Sequence, residues 1–298
     1  MTTIRWCVLV NPSAGIRGQS GEDVETLAAA RGISAAITTT RSPEHLASVV
    51  EKAVAQGTRG FVAVGGDGTA NLVLNAMMQT RLDASGRLAL AIVAAGSGSD
   101  FVRTFGHGSG LEAGLDRLAE PDFYPIDIGH ITGAFGERYF LNAANVGVAA
   151  ASAVKAARLP KRMGSIRYGI GFWLALSRFP VGPITVTVDR HRFDGEAINV
   201  VVANGQFFGG GMNVAPRATL TDGILDVQVF LGPRRQAFAV MPRVVRGTHL
   251  AHTGVRRYTG STIEVSVPAH WPVESDGEVL GRGSVSIKTI PAAVDFIA

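Results

Sequence analysis

The stretch Phe61–Asn71, FVAVGGDGTAN, constrains the chain most. Phe61–Val64 reads as a short strand buried on both faces. It runs directly into Gly65, Gly66, Asp67, Gly68 and Thr69. A helix over Thr69–Met78 is expected next, with Thr69 as its cap. Glycines let the backbone turn sharply and let a bulky ligand come close. Amides of such a turn, together with a helix N-terminus, form an anion site. Asp67 puts a carboxylate into that turn, where it repels phosphate unless a divalent cation stands between them. The plainer alternative is a tight turn with a solvated aspartate.

The segments around this turn set a rhythm. Ile4–Val10 reads as a buried strand ending in the turn cluster Asn11-Pro12-Ser13-Ala14-Gly15. A helix over Glu22–Arg31, closed by Gly32, leads to a strand over Ile33–Thr39. Ser42-Pro43-Glu44 opens a helix reaching Gln56, with serine at the cap and proline in the first turn. Alternating strands and helices describe a parallel α/β layer, whose ligands lie at the carboxyl ends of strands. Leu88–Ala94 is the next strand, and it enters a second glycine-rich turn, Gly96-Ser97-Gly98-Ser99-Asp100-Phe101. A helix over Gly110–Ala119 precedes Asp127. Asp67, Asp100 and Asp127 thus stand at three successive strand segments, and three such carboxylates suit Mg²⁺.

Beyond Asp127 the texture changes to strands and hairpins. Ile184–Val188 and Glu196–Ala203 pair as a hairpin, followed by the glycine-rich Asn204–Gly211. Pro216–Asp226, PRATLTDGILD, carries Asp222 and Asp226 four apart around a glycine, a spacing that lets both share a cation. Lys155–Tyr168 is basic, and on its residues alone it reads as a solvated loop. Tyr168–Leu176, with Phe172 and Trp173, suits core packing, a lipid-chain cavity or a membrane surface. Gln236–Leu250 reads as a basic helix with His249 and His252 on a solvated face. Val273–Glu278 ends in the acidic turn Asp276-Gly277-Glu278.

Composition excludes several classes. A length of 298 residues favours two domains. Net charge is +4, from 24 Arg and 4 Lys against 24 acids, with no basic run of the kind that binds nucleic acid. Cys7 is the single cysteine, so neither an intramolecular disulfide nor a multi-cysteine zinc site exists. The N-terminal apolar run is too short for a leader, and no stretch reaches the roughly 20 apolar residues of a membrane span. These features point to a cytoplasmic protein, soluble or peripheral on the inner face of the membrane. None of the four lysines follows a glycine, so there is no Walker A; HExxH and GxSxG are also absent.

GGDGT, with VNPSAG upstream and SDF, FLNAANVG, PRATLTDGILD and SDGEV downstream, resembles the diacylglycerol kinase catalytic-domain family, which includes bacterial lipid kinases and sphingosine kinases. The resemblance runs along nearly the whole chain. It implies a Rossmann-like α/β domain over 1–127, related to NAD kinase and phosphofructokinase, to which about 289–298 return. A β-sandwich domain over 128–288 would follow. It implies ATP bound by Asn11, Gly65, Gly66, Asp67, Gly68, Thr69, Gly96, Ser97, Gly98 and Asp100, with Arg17, Lys161 and Arg162 at the phosphates. It implies Mg²⁺ linked to Asp67, Asp100 and Asp127, a structural metal at Asp222 and Asp226, and Asp276 as general base supported by Glu278. Ile16 stands where many relatives have a basic residue, and Ser99 where the family has asparagine. The implied activity is ATP-dependent phosphorylation of a lipid hydroxyl, such as that of diacylglycerol, with peripheral membrane contact and no nucleic-acid partner. An NAD kinase and a catalytically degenerate nucleotide- or lipid-binding protein are the rivals. Oligomeric state stays open, a homodimer included.

Overall fold

The structure is a computed structural model, and it describes residues 4–12, 21–80, 86–94, 100–106, 110–156, 158–159 and 166–298. The chain divides into two compact units, Met1–Ile126 with Ala292–Ala298, and Asp127–Pro291.

The first unit alternates strands and helices. In order they are β1 (Trp6–Val10), α1 (Gly21–Ala30), β2 (Ala35–Thr39), α2 (Pro43–Ala55), β3 (Gly60–Gly65), α3 (Asp67–Thr80), β4 (Leu88–Ala94), α4 (Asp100–Thr104) and α5 (Leu111–Ala119). Ser42 caps α2, its hydroxyl accepting from the His45 amide at 3.2 Å. β1, β3 and β4 are buried at every position, as expected of strands covered on both faces. All pairings are parallel, in the order β2-β1-β3-β4, and Val294–Ile297 add a further parallel strand beside β4. The strand order reverses between β1 and β3, and such switch points open a crevice at the strands' carboxyl ends. The core on one side of this sheet gathers Val8, Val10, Val62, Val64, Ala91 and Val93 with Val24 and Leu115 from the helices.

β5 (Phe123–Gly133) carries the chain into the second unit, an antiparallel assembly. It continues with β6 (Gly136–Phe140), β7 (Ala143–Gly147), α6 (Val148–Ala156), α7 (Ile166–Leu176), β8 (Gly182–Val188) and β9 (His191–Ala203). Two-residue strands β10 (Phe207–Phe208) and β11 (Met212–Asn213) precede β12 (Leu225–Leu231), α8 (Ala237–Val245), β13 (Val255–Gly260) and β14 (Thr262–Ser266). β15 (Pro272–Ser275), β16 (Glu278–Arg282) and β17 (Val285–Ile297) complete the chain. β9 is the hub: it pairs with β8, β7 and β12, all antiparallel. Trp271, fully buried with Phe179 edge-on at 5.0 Å, sits in the largest core cluster.

Three expectations need correction here. The second unit contains the helix pair α6 and α7, where strands and loops are read from the sequence. Small residues permit this packing: a Cβ on Gly171 would lie 2.8 Å from the Ser152 carbonyl and 3.0 Å from the Ala156 amide. The helix expected over Gln236–Leu250 is broken into a 3-10 turn (Arg234–Gln236), α8 and a second 3-10 turn (His249–Ala251). His249 lies not on a solvated face but fully buried, its Nε2 2.8 Å from Gln228 Oε1. Burial lowers its pKa, since the apolar surroundings penalise the imidazolium.

Candidate active site

In the first unit the two glycine-rich turns follow neighbouring strands. α3 begins at Asp67, two residues earlier than the sequence suggests, so Thr69 lies buried within the first turn and does not cap it. Its hydroxyl accepts instead from Asn11 Nδ2 at 3.0 Å, and the Asn11 amide donates to the Val64 carbonyl at 3.2 Å. These bonds join the carboxyl ends of β1 and β3 across the switch point. Asp67 reaches the other way: its Oδ2 accepts from the Asp100 amide at 2.8 Å and its Oδ1 from the Phe101 amide at 3.4 Å. A carboxylate on the first amides of a helix, which have no intrahelical acceptor, is a charge-assisted cap. It draws Asp100, itself buried and 3.9 Å from Arg103 Nε, beside the GGDGT turn.

Gly66 and Gly68 have no internal reason to be glycine. Among the described residues a Cβ on either meets nothing within 4 Å, and neither has a φ in the left-handed region. Open space is what these positions keep. Among the expected phosphate contacts, Arg17, Gly96, Ser97, Gly98, Lys161 and Arg162 lie outside the described residues, as do Ile16 and Ser99.

In the second unit the site is built on the turn between β15 and β16. Asp276 has φ 46°, uncommon for a residue with a side chain. Its carboxylate accepts from three consecutive amides: Leu141 at 2.7 Å, and Asn142 and Ala143 at 3.0 Å each. In return the Asp276 amide donates to the Ala143 carbonyl at 3.0 Å. The FLN and DGE segments are therefore one structural unit. Gly205 completes it, because a Cβ there would stand 2.5 Å from Asn142 Oδ1. Asn204, fully buried, donates to the carbonyls of Asp127 at 2.9 Å and Leu141 at 2.8 Å. Glu278 is half-exposed and pairs with Arg138 at 2.5 Å.

Glu274 escaped the sequence reading. It is buried on β15, accepting from Asn145 Nδ2 at 2.9 Å and from the Gly277 amide. Burial pushes its carboxyl up to about 8, against the two hydrogen bonds and with the Asp276 charge adding to the rise. The strand pattern alone carries no signal of this, since Val273, Glu274 and Ser275 are all buried.

The expected metal ligands divide. Asp127, buried on β5, accepts from the Gly223 amide at 2.6 Å and braces the TDGILD turn. Asp222 is exposed and accepts from the Ile224 amide at 3.2 Å within its own turn. Asp226 is buried and already holds a cation, with Arg257 Nε at 2.6 Å and Nη2 at 2.5 Å. Its other oxygen accepts from Gln228 Nε2 at 3.1 Å. A shared cation on Asp222 and Asp226 does not fit this arrangement, because the guanidinium neutralises the one and the turn occupies the other. Among the described residues no three His, Cys, Asp or Glu side chains form a metal-ready group.

Comparison with known proteins decides the family. Residues 5–131 match the diacylglycerol kinase catalytic domain, and residues 142–298 match the YegS C-terminal NAD kinase beta sandwich-like domain. The chain belongs to the diacylglycerol kinase family. Among curated proteins, a "Probable lipid kinase YegS-like" of Shewanella frigidimarina is 27% identical over 252 residues, covering 83% of this chain and 79% of the relative. A "Diacylglycerol kinase" of Mycobacterium tuberculosis is 27% identical over 249 residues, covering 82% and 78%. The fold matches a crystal structure of a diacylglycerol kinase from Bacillus anthracis with a TM-score of 0.75 at 21% identity, over 100% of this chain and 97% of that one. The α/β unit and the β-rich unit of this diacylglycerol kinase family member are thus the expected pair of folds.

Proposed function

We propose that the chain is an ATP-dependent lipid kinase that passes the γ-phosphoryl of ATP to the hydroxyl of a lipid such as diacylglycerol. The observation that carries this reading is the open space kept at Gly66 and Gly68, in a turn that Asn11 holds through the Thr69 hydroxyl and Asp67 holds through the first amides of α4. Phosphates laid over that turn meet backbone donors and the N-terminus of α3. Asp67 and Asp100 are hard oxygen donors joined at the ends of β3 and β4. One or two carboxylates, with the phosphates and water, are what Mg²⁺ asks of a kinase site, so these residues fit the ion. When bound with nucleotide, the metal supplies charge neutralisation on the transferring phosphoryl group. Asp276, held in one orientation by three amides, takes the proton of the lipid hydroxyl. Names given to the relatives support the lipid acceptor.

Gly68→Ala tests the reading, because the new methyl meets no atom of the described residues within 4 Å. The melting temperature should hold or rise slightly, alanine being the better helix residue by up to about 1 kcal/mol. ATP affinity by calorimetry should fall at least several-fold. Unchanged affinity would show that the open space serves no nucleotide. Wild-type turnover with ATP is then compared on diacylglycerol micelles and on NAD, and phosphorylation of NAD alone would favour the NAD-kinase reading.

A further inference from the structure

α7 and α8 each bury one face and expose another that is equally apolar. Gly171 and Ala175 of α7 are buried, while Ile170, Trp173 and Leu174 are exposed at i, i+3 and i+4. Ala237, Val240 and Val244 of α8 are buried, while Phe238, Pro242 and Val245 are exposed at i, i+4 and i+7. Phe238 is 67% exposed and Val245 54%. The Trp173 and Phe238 rings stack at 4.8 Å and 23°, which joins the two stripes into one patch. Arg234 ties the ends together, its Nη1 donating to the Ser177 carbonyl at 2.8 Å.

The charge around the patch has one sign. Arg178, Arg234, Arg235, Arg243 and Arg246 are exposed, and none forms an ion pair among the described residues. The sequence holds no carboxylate between Glu137 and Asp189, nor between Asp226 and Glu264, so both helices lie in acid-free segments. A symmetric second copy would set this basic patch against itself, which disfavours self-association. An anionic bilayer supplies both complements: headgroups for arginine, and an acyl boundary for tryptophan, phenylalanine and the aliphatic residues.

We infer that the exposed stripes of α7 and α8, stacked through Trp173 and Phe238, dock this protein on an anionic lipid surface. The inference rests on the patch and not on the kinase reading, so it is tested without ATP. Trp6 and Trp271 are buried, which makes Trp173 the reporter of any change in tryptophan surroundings. Full-length protein is mixed with vesicles of phosphatidylcholine alone or of phosphatidylcholine with phosphatidylglycerol. Co-sedimentation and a blue-shifted tryptophan emission are expected with the anionic vesicles, weakening as salt is raised. The Phe238→Ser, Val245→Ser double variant should keep the wild-type melting temperature and lose at least tenfold in vesicle affinity. Arg235→Gln with Arg246→Gln should cost roughly thirtyfold on anionic vesicles only, at about 1 kcal/mol per arginine near the surface. Absence of the emission shift, binding indifferent to lipid charge, or a dimer by light scattering that Phe238→Ser dissociates while vesicles are ignored would each overturn the inference. A wild type that docks and yet phosphorylates no lipid would leave it standing and remove the kinase reading instead.

Discussion

Asp276 shows how much a residue's chemistry depends on its neighbours. Read as a turn residue, it invites Asp276→Asn as a clean removal of a proton acceptor. Held by three amides, it cannot be changed so simply, because one asparagine NH₂ must face a backbone N–H. Asp276→Asn should therefore lower lipid phosphorylation by about 10² or more and also lower the melting temperature. ATP affinity should stay within a few-fold, since the candidate nucleotide turn at Gly66–Gly68 lies in the other unit. Near-normal phosphorylation would remove Asp276 from the chemistry. Glu274, two residues before it, makes a pH prediction. Its carboxyl titrates near 4.5 in the unfolded chain and about 8 in the fold. Between those values the folded chain keeps a proton that the unfolded chain has released, so stability falls as pH rises through this window. Glu274→Gln, with the Asn145 amide turned to match, should flatten that slope. Urea denaturation at about pH 5 and about pH 8 reads the difference, and parallel slopes in both proteins would refute the assignment.

Elements that alternate strongly, or are apolar throughout, could be read from the sequence; elements built of small residues could not. Leu88–Ala94 and the Ser42-capped α2 fall where the pattern puts them, because burial on both faces and a side-chain cap are local signals. α6, reading VAAASAVKA, has no polar face to mark a helical period, and its packing depends on Gly171 in another helix. Asp226 follows the same logic. Its spacing from Asp222 suggests a metal pair, but its partner comes from β13, thirty-one residues on, through a pairing that opposes Asp226 to Thr259. Arg257→Met should strand the buried carboxylate and cost about 3–5 kcal/mol. Wild-type melting should be indifferent to chelator, because the guanidinium already supplies the positive charge. A chelator-sensitive melting temperature in wild type, with Arg257→Met nearly neutral, would restore the cation.

Across the whole molecule, the candidate nucleotide turn depends on the last residues of the chain. No local signal in the sequence connects Phe296 with Phe101; only the return of the chain to β4 does. Phe296 is 2% exposed. It meets Phe101 edge-on at 5.0 Å and stacks on Phe105 at 4.6 Å. Phe101 belongs to α4, and the amides of Asp100 and Phe101 are the two that Asp67 accepts from. The aromatic cluster thus fixes the helix start that the GGDGT carboxylate caps. α4 has only 5 residues, too few to hold itself without tertiary contacts. Phe296→Ala should cost about 3–5 kcal/mol from lost burial and the cavity left behind. If α4 then loosens, Asp67 loses its fixed partners, and ATP affinity should fall several-fold although Phe296 lies at the opposite end of the sequence. The informative comparison is Leu115→Ala, which also opens the first unit's core but belongs to the other cluster, beneath α5. Matched for loss of melting temperature, the two variants should differ in ATP affinity, with Phe296→Ala the weaker binder. Equal affinities would mean that the chain's end serves stability alone.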